Sequence, residues 1–294
     1  MQLGPRMSLF AVTGATGHLG RLAVSSLLDR GVAASDLVAV VRDPGRAADL
    51  ADRGVQVRVA DYGDPAALEA AFTGVDRLLF VSGSEAGSRE VQHRNVVAAA
   101  EAAGVQRIVY TSIAKADTNS TPLAVEHRLT EQLLRDSGID AVVLRNSWYI
   151  ENYTGQLPVH LEHGIAGAAG DGAVSAATRA DYAAAAAAVV ATDGHAGAVY
   201  ELGGTPFTMT ELVEVVSAAT GRTVTYTDLP VEQYQQVLVA AGLPAPVAAV
   251  FADGDRGVAA GELLVEGNDL ARLLGREPTS LAEAVAVAVA GLRA

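Results

Sequence analysis

A glycine-rich turn between a short apolar run and a long helical segment is the feature that most constrains the fold. Residues 12–20 read Val-Thr-Gly-Ala-Thr-Gly-His-Leu-Gly, a GxxGxxG pattern. Gly14 permits a tight turn, Gly17 lets a pyrophosphate approach the backbone, and Gly20 lets the helix pack closely on the strand. The helix N-terminus then offers free N–H groups to an anion. The pattern predicts a dinucleotide site that includes Gly14, Ala15, Thr16, Gly17, His18 and Leu19.

The first half of the chain alternates short runs rich in Val, Ile and Leu with longer helical segments. Strands are predicted at 8–13, 37–42, 55–60, 77–82, 107–112 and 141–145. Continuous apolar strands are typical of a parallel sheet that helices cover on both faces. This rhythm of βαβ units predicts an α/β fold with a Rossmann-type, doubly wound parallel sheet.

The pattern changes after Asn146, where helical segments dominate. Helices are predicted at 179–192, 210–220, 231–241, 246–261 and 280–292, with a short strand at 223–226. We therefore expect a dinucleotide-binding domain at 7–146 and a smaller, mostly helical C-terminal substrate lobe at 147–294. The lobe is discontinuous if a strand at 199–203 returns to the main sheet. The residues before Met7 lack an apolar signal core and are interpreted as a leader or an alternative start.

Charge and composition exclude several classes of function. The net charge is −13 and Lys115 is the only lysine, which argues against nucleic acid as a partner. The absence of cysteine excludes disulfides and thiolate zinc sites, and it favours a cytoplasmic setting. The longest apolar run, 182–191, is shorter than the roughly 20 residues of a membrane helix. His160 and His163 have metal-like spacing but no evident third ligand, so no metal is predicted.

The end of the second predicted strand decides between the two nicotinamide cofactors. NAD sites usually carry Asp or Glu there to accept a hydrogen bond from the ribose 2′-hydroxyl. Here the strand ends at Arg42, followed by Asp43. A guanidinium fits a 2′-phosphate whereas a carboxylate repels one, so Arg42 favours NADPH as the cofactor. The alternative is a solvated Arg42, with Asp43 in the acidic role.

Polar residues also follow the other predicted strands. Ligands of open α/β sheets bind outside the carboxyl ends of the strands, so these residues are candidates for the same site. Asp61 has two interpretations, a hydrogen bond to the adenine amino group or an Asx turn. The candidates are Asp61, Tyr62, Ser82, Gly83, Ser84, Thr111, Asn146 and Tyr149.

The glycine pattern and the strand order resemble the short-chain dehydrogenase/reductase superfamily, in its atypical NmrA-like branch. That superfamily usually carries Tyr-x-x-x-Lys on the helix after the fifth strand, and here His127 and Glu131 stand at those positions. Lys115 lies elsewhere, where it either reaches the cofactor or is solvated. Without a tyrosine activated by lysine, alcohol oxidation is disfavoured. Hydride transfer to a quinone needs less acid catalysis, because delocalisation stabilises the oxyanion.

Longer segments resemble the bacterial NADPH:quinone oxidoreductase 2 family. They are residues 60–64, 93–97, 144–153, 168–172 and 177–183. The resemblance implies that Asn146 lies beside the nicotinamide and the carbonyl substrate, and that Asp171 covers the nicotinamide end. A plain surface turn also explains Asp171. Ser147 stands where the family has Gly, a change that narrows the pocket if the side chain faces it.

The catalytic candidates are Asn146, Tyr149 and His127. Tyr149 is a proton donor or a core aromatic residue, and His127 is a proton donor or a helix histidine within a polar cluster. The expected function is hydride transfer from NADPH to quinones by a monomer or homodimer, with no nucleic-acid or membrane partner. The alternatives are reduction of another delocalised electrophile, such as a triphenylmethane dye, and an NADP(H) redox sensor without turnover.

Overall fold

The computed structural model of the protein describes residues 8–83, 85 and 87–292. The strands are β1 (Phe10–Thr13), β2 (Leu37–Val41), β3 (Gln56–Val59), β4 (Arg77–Phe80), β5 (Arg107–Ile113), β6 (Asp140–Asn146), β7 (Ile165–Gly167), β8 (Ala173–Val174), β9 (Val199–Leu202), β10 (Phe207–Thr208) and β11 (Tyr226–Asp228). The helices are α1 (His18–Asp29), α2 (Ala48–Asp52), α3 (Pro65–Phe72), α4 (Arg89–Ala102), α5 (Pro122–Asp136), α6 (Glu151–Thr154), α7 (Leu157–His163), α8 (Arg179–Ala191), α9 (Met209–Thr220), α10 (Val231–Ala240), α11 (Ala245–Ala259), α12 (Asp269–Leu274) and α13 (Leu281–Gly291).

Seven strands form one sheet in the order β3-β2-β1-β4-β5-β6-β9. Phe10 pairs in parallel register with Leu37 on one side and with Arg77 on the other. The chain therefore builds outward from β1 in one direction and then, from β4, in the opposite direction. The predicted Rossmann-type doubly wound fold is confirmed. Strand order reverses between β1 and β4, the kind of switch point at which such sheets bind ligands.

The last strand of the sheet comes from the C-terminal half of the chain. The N–H of Val143 donates to Ala198 O, and the N–H of Ser147 donates to Leu202 O. From the first of these hydrogen bonds to the second, the residue number rises by four in both strands, so β9 runs parallel to β6. The strand at 199–202 thus lies at the edge of the main sheet.

The chain divides into two compact units, and each is discontinuous in sequence. The first unit comprises the residues through Ser112, 128–144 and 182–200, and the second comprises 113–127, 145–181 and the residues from Glu201 onward. These boundaries differ from a single division after Asn146. The reason is that β5, β6 and β9 each begin in the first unit and end in the second.

The core of the first unit is built from the central strands and the helices that cover them. β2 is buried along its whole length, as expected for a strand with helices on both faces. Asp64 caps α3 by accepting from Ala67 N, whereas Asp43 caps only a 3-10 turn at Pro44–Ala47. The fully buried larger side chains include Leu68, Phe72, Leu78, Phe80, Ile108 and Tyr110.

The second unit has its own apolar core and is mostly helical. Thr208 and Ser280 begin α9 and α13 with capping boxes, each closed by a glutamate three residues later. The helices α6, α7 and α12 were not predicted, and the strand expected at 223–226 lies at 226–228 instead. Among the described residues, no helix has both the length and the apolar character needed to cross a membrane. The core includes Trp148, Ile150, Leu157, Phe207, Met209, Leu212, Val258, Leu263 and Val285.

The contact between β1 and α1 depends on Gly20. A Cβ atom at this position would lie 2.8 Å from Gly14 C and 3.0 Å from Ala15 Cα, and closer still to Gly14 O. All three neighbours belong to the backbone, so no side chain can rotate away. Gly20→Ala should therefore lower the free energy of unfolding by about 2–3 kcal/mol, as other overpacked sites do.

Urea unfolding followed by circular dichroism measures this loss. Gly291→Ala is the matched control, because nothing lies within 4 Å of a Cβ at the end of α13. It should change stability by less than about 1 kcal/mol, in the favourable direction. Equal stability of wild type and Gly20→Ala would contradict the packing argument.

Candidate functional site

The turn between β1 and α1 presents an uncapped helix N-terminus. Gly14 has φ +57°, a left-handed conformation that favours glycine, and Gly17 N donates to Gly14 O at 2.9 Å. Gly17 itself caps α1 without any side-chain hydrogen bond, and the first turn carries no acidic residue. The first N–H groups of α1 therefore have no side-chain cap within the described part of the chain. This arrangement fits a pyrophosphate.

The residues predicted at the ends of β3 and β5 hold the backbone that follows β4. The Tyr62 hydroxyl donates to Val81 O at 2.7 Å, and the N–H of Ser82 donates to Thr111 Oγ1 at 2.9 Å. Thr13 Oγ1 accepts from Val81 N at 3.0 Å. Burial raises the pKa of the Tyr62 hydroxyl, so it remains a donor at neutral pH. These side chains shape the carboxyl edge of the sheet beside the glycine turn.

Two buried side chains clamp the peptide of Gly83. Its N–H donates to His93 Nε2 at 3.0 Å, and its carbonyl accepts from Arg89 Nη2 at 2.6 Å. The other ring nitrogen of His93 lies 2.7 Å from Thr130 Oγ1. Burial, with the nearby Arg89 guanidinium, lowers the pKa of His93 to about 3. His93 is therefore neutral, with its proton on Nδ1, as an acceptor at Nε2 requires.

Arg42 lies at the end of β2 with carboxylates on either side. Its Nη1 is 2.5 Å from Glu85 Oε1, and its Nε is 4.0 Å from Asp61 Oδ2. Asp61 Oδ1 accepts from Gly63 N at 2.7 Å, which is the Asx turn, while Oδ2 faces the guanidinium. Asp43 instead accepts from Gly45 N. Arg42 thus has a guanidinium at the edge where a 2′-phosphate would bind. Ser84, also predicted here, lies outside the described residues.

Asn146, in the second unit, has a buried acceptor with no partner. Its side chain is 4% exposed, and its Oδ1 finds no hydrogen-bond partner among residues 8–83, 85 and 87–292. The side chain hydrogen-bonds the Tyr149 hydroxyl. A buried acceptor left unpaired costs about 1–3 kcal/mol, so this position fits an N–H or O–H donor from a ligand. The hydroxyl of Ser147 donates to Leu263 O at 2.7 Å and is buried.

Tyr149 is a half-buried aromatic residue with a cation on its ring. The guanidinium carbon of Arg179 lies 4.5 Å from the ring centroid. Burial raises the pKa of Tyr149, and the Arg179 charge and the Asn146 hydrogen bond act against that rise. The hydroxyl therefore holds its proton at neutral pH. It can donate that proton to an acceptor that becomes anionic.

The remaining predicted residues lie in the second unit and differ in how far they are buried. His127 is buried on α5, and Asp171 is exposed in the turn closed by the N–H of Gly172 on Ala169 O. Lys115 is half-buried at φ +52°, and its Nζ donates to Gly261 O at 3.0 Å, so it is not the solvated loop lysine. No group of three His, Cys, Asp or Glu side chains that would suit a metal occurs in the part of the chain that the structure describes.

A cavity of about 280 Å³ lies in the second unit beside Trp148. The indole of Trp148 packs against α11 at Gly254, where a Cβ would lie 3.0 Å from the ring. Phe251 meets the indole edge to face at 6.3 Å between centroids. The lining is mostly apolar, as in pockets for flat organic ligands. The polar lining residues are Thr121, Gln235 and Asp253.

Sequence analysis did not identify three residues at the loop that follows β4. Arg89 and His93 contact the loop after β4, and Glu85 lies within that loop, yet none of the three has a motif of its own. Arg89 and His93 bind backbone groups, and such partners leave no spacing pattern in the sequence. The resemblance at 93–97 was the available signal, and it assigns no role to His93.

The chain is similar in sequence to known nicotinamide-dependent proteins. Residues 14–193 match the model of a family described as NAD(P)H-binding. The chain is 49% identical over 279 residues to Quinone oxidoreductase 2 of Escherichia coli (strain K12), covering 94% of this chain and 97% of that protein.

Solved structures show the same similarity. An NADPH-dependent quinone oxidoreductase from Escherichia coli, complexed with NADPH, has a TM-score of 0.92 at 48% identity, covering 95% of this chain and 99% of that one. The Citrobacter sp. triphenylmethane reductase complexed with NADP(H) has a TM-score of 0.90 at 40% identity, with the same coverage.

Asp255, next to the cavity residues on α11, is a buried carboxyl. It is 7% exposed, and its Oδ2 accepts from Ala168 N at 2.8 Å. Burial raises its pKa to about 6, above the usual 3.8, and the nearby Asp228 adds to the rise. The folded state therefore binds a proton that the unfolded state has released between these two values. Stability should fall as pH rises from about 4 to about 6, by up to roughly 3 kcal/mol.

Asp255→Asn keeps an acceptor for Ala168 N but removes this titration. Urea unfolding from pH 4 to pH 8 should show that wild type loses stability relative to Asp255→Asn as pH rises to about 6, with a constant difference above. Glu266→Gln is the control, because that side chain is exposed and should leave the pH dependence unchanged. Parallel curves for wild type and Asp255→Asn would contradict the prediction.

Proposed function

The chain belongs to the NAD(P)H-binding family, among the quinone oxidoreductase 2 relatives of its NmrA-like branch, and we propose that it transfers hydride from NADPH to quinones. The observation that carries the proposal is the unpartnered, buried Oδ1 of Asn146. A carboxamide N–H donor is what this acceptor lacks, and a nicotinamide has one. The similarity to quinone oxidoreductases supports a quinone as the molecule that receives the hydride.

Residues of the first unit bind the cofactor in this proposal. The uncapped N–H groups of α1 receive the pyrophosphate, and Arg42 receives the 2′-phosphate. The close approach at Gly17 and the clamped peptide of Gly83 give the cofactor a rigid backbone surface. The proposed contacts are Gly14, Ala15, Thr16, Gly17, His18, Leu19, Arg42, Asp61, Tyr62, Ser82, Gly83, Ser84 and Thr111, with Asn146 and Asp171 from the second unit.

Residues of the second unit bind the acceptor and supply the proton. When bound, NADPH supplies a hydride, and the quinone takes up one proton in addition to become the hydroquinone. Tyr149 holds that proton on its hydroxyl until the quinone oxygen becomes basic, and Arg179 stabilises the phenolate left behind. Asn146 orients the nicotinamide and the Tyr149 hydroxyl through its side-chain amide. The apolar cavity beside Trp148 binds the quinone ring. His127 as donor, the cytoplasmic setting and the oligomeric state stay predictions.

Reduction of a triphenylmethane dye is the second candidate. The 40% identity and TM-score of 0.90 to the Citrobacter reductase favour it over other electrophiles. NADPH oxidation should be measured with benzoquinones and naphthoquinones, with hydroquinone identified as product, and beside it the decolorisation of a dye. We expect steady turnover with quinones at catalytic enzyme concentration. Faster dye turnover would favour the second candidate, and tight NADPH binding without any turnover would favour a redox sensor.

Asn146→Ala should lower turnover with quinone about tenfold to a hundredfold, a loss typical of a removed positioning group. NADPH affinity should fall by no more than about tenfold, the value of one lost hydrogen bond, because the pyrophosphate and 2′-phosphate contacts come from other residues. Stopped-flow turnover and fluorescence titration with NADPH separate the two effects. Asn268→Ala, in the exposed loop before α12, is the control and should keep wild-type turnover. Unchanged turnover in Asn146→Ala would remove Asn146 from the site.

A further inference from the structure

Arg42 already has an anion bound to its guanidinium, and that anion is Glu85. Glu85 Oε1 lies 2.5 Å from Arg42 Nη1, and Glu85 Oε2 accepts from Gln92 Nε2 at 2.7 Å. Both charged side chains are about half or more exposed, at 63% for Arg42 and 48% for Glu85. The pair therefore lies in the open, where a phosphate can reach it. Neither the glycine turn nor the strand pattern pointed to Glu85.

We propose that Glu85 is a specificity-determining residue, whose carboxylate occupies the anion position on Arg42 until a 2′-phosphate displaces it. The inference rests on the proposed function, since it assumes that Arg42 binds that phosphate. A carboxylate beside a phosphate dianion on one guanidinium is repulsive, so the two anions compete. NADPH must displace Glu85, whereas NADH, without the 2′-phosphate, leaves the pair intact.

Glu85 can leave Arg42 more easily than Asp61 can. Asp61 is fixed by its Asx turn, with Oδ1 bonded to Gly63 N, and its Oδ2 stays 4.0 Å from Arg42 Nε. The contacts of the Glu85 carboxylate within the described residues are side-chain contacts, to Arg42 and Gln92. A long side chain held only by other side chains can rotate into water at small cost, because exposed ion pairs are weak. Glu85 is thus the exchangeable partner and Asp61 the fixed one.

Removing the Glu85 charge should tighten NADPH binding selectively. Glu85→Gln keeps the size of the side chain and its hydrogen bond to Gln92, but ends the competition for Arg42. We expect NADPH to bind about threefold to tenfold tighter to Glu85→Gln than to wild type, with the gain shrinking at high salt. NADH affinity should stay within about twofold of wild type. The ratio of NADH to NADPH dissociation constants should therefore rise.

Fluorescence titration of each cofactor, without quinone, measures these constants in wild type and four variants. Glu90→Gln is the matched control. It also removes one negative charge, but Glu90 lies on α4 and pairs with Arg94 instead of Arg42. It should leave NADPH affinity within about twofold, as expected for an exposed, screened charge that pairs with a different arginine. The other two are Arg42→Gln and the double variant Arg42→Gln/Glu85→Gln, which complete a double-mutant cycle. The effect of Glu85→Gln on NADPH should vanish in that background.

Each outcome bears on one proposal or on both. Unchanged or weaker NADPH binding in Glu85→Gln, an equal gain for NADH, the same gain in Glu90→Gln, or a gain that persists without Arg42 would each overturn the role of Glu85. In all these cases the quinone assay can still support the proposed function. Wild type that binds neither cofactor would overturn the proposed function together with this inference.

Discussion

The candidate cofactor site depends on the close contact between the backbone of α1 and the turn that follows β1. Gly20 lies against the carbonyl of Gly14, so the axis of α1 is directed at the carboxyl end of β1. The uncapped N–H groups of the helix then face the edge at which the strand order reverses. An anion bound there meets the positive end of a helix and the exposed end of a sheet together. A single additional methyl group at position 20 would separate these two features.

The edge of a parallel sheet leaves backbone groups without strand partners, and buried side chains supply those partners here. Tyr62, Ser82 and Thr111 were predicted as ligand contacts. In the structure, Tyr62 and Thr111 hydrogen-bond the backbone of the segment that contains Ser82. His93 and Arg89 do the same for Gly83. The backbone of residues 81–83 is held in this way without any ligand, so little entropy is lost there on binding. The polar residues that mark such an edge therefore have a structural role as well as any binding role.

The periodic parts of the fold could be predicted, and the parts that depend on tertiary contacts could not. The strand predicted at 199–203 is observed at Val199–Leu202, because a short β-forming run next to glycines is a local signal. The short α6 and α7 lie in an aromatic, polar stretch where packing, and not periodicity, decides the structure. At the candidate site, Arg42 and the glycine turn were predicted from residue type and position. Glu85 and His93 were not predicted. Glu85 pairs with Arg42, which is far away in sequence, and His93 binds a backbone N–H group.

The unpaired oxygen of Asn146 has a consequence for how this chain can evolve. A neighbouring substitution that offered Oδ1 an internal donor would make the folded protein more stable, by about 1–3 kcal/mol. The same substitution would close the acceptor to any incoming molecule. Selection for thermal stability alone would thus remove the feature on which the proposed recognition depends, which is a local trade between stability and activity. Chains descended from this one should gain stability elsewhere first, at positions that do not contact this amide.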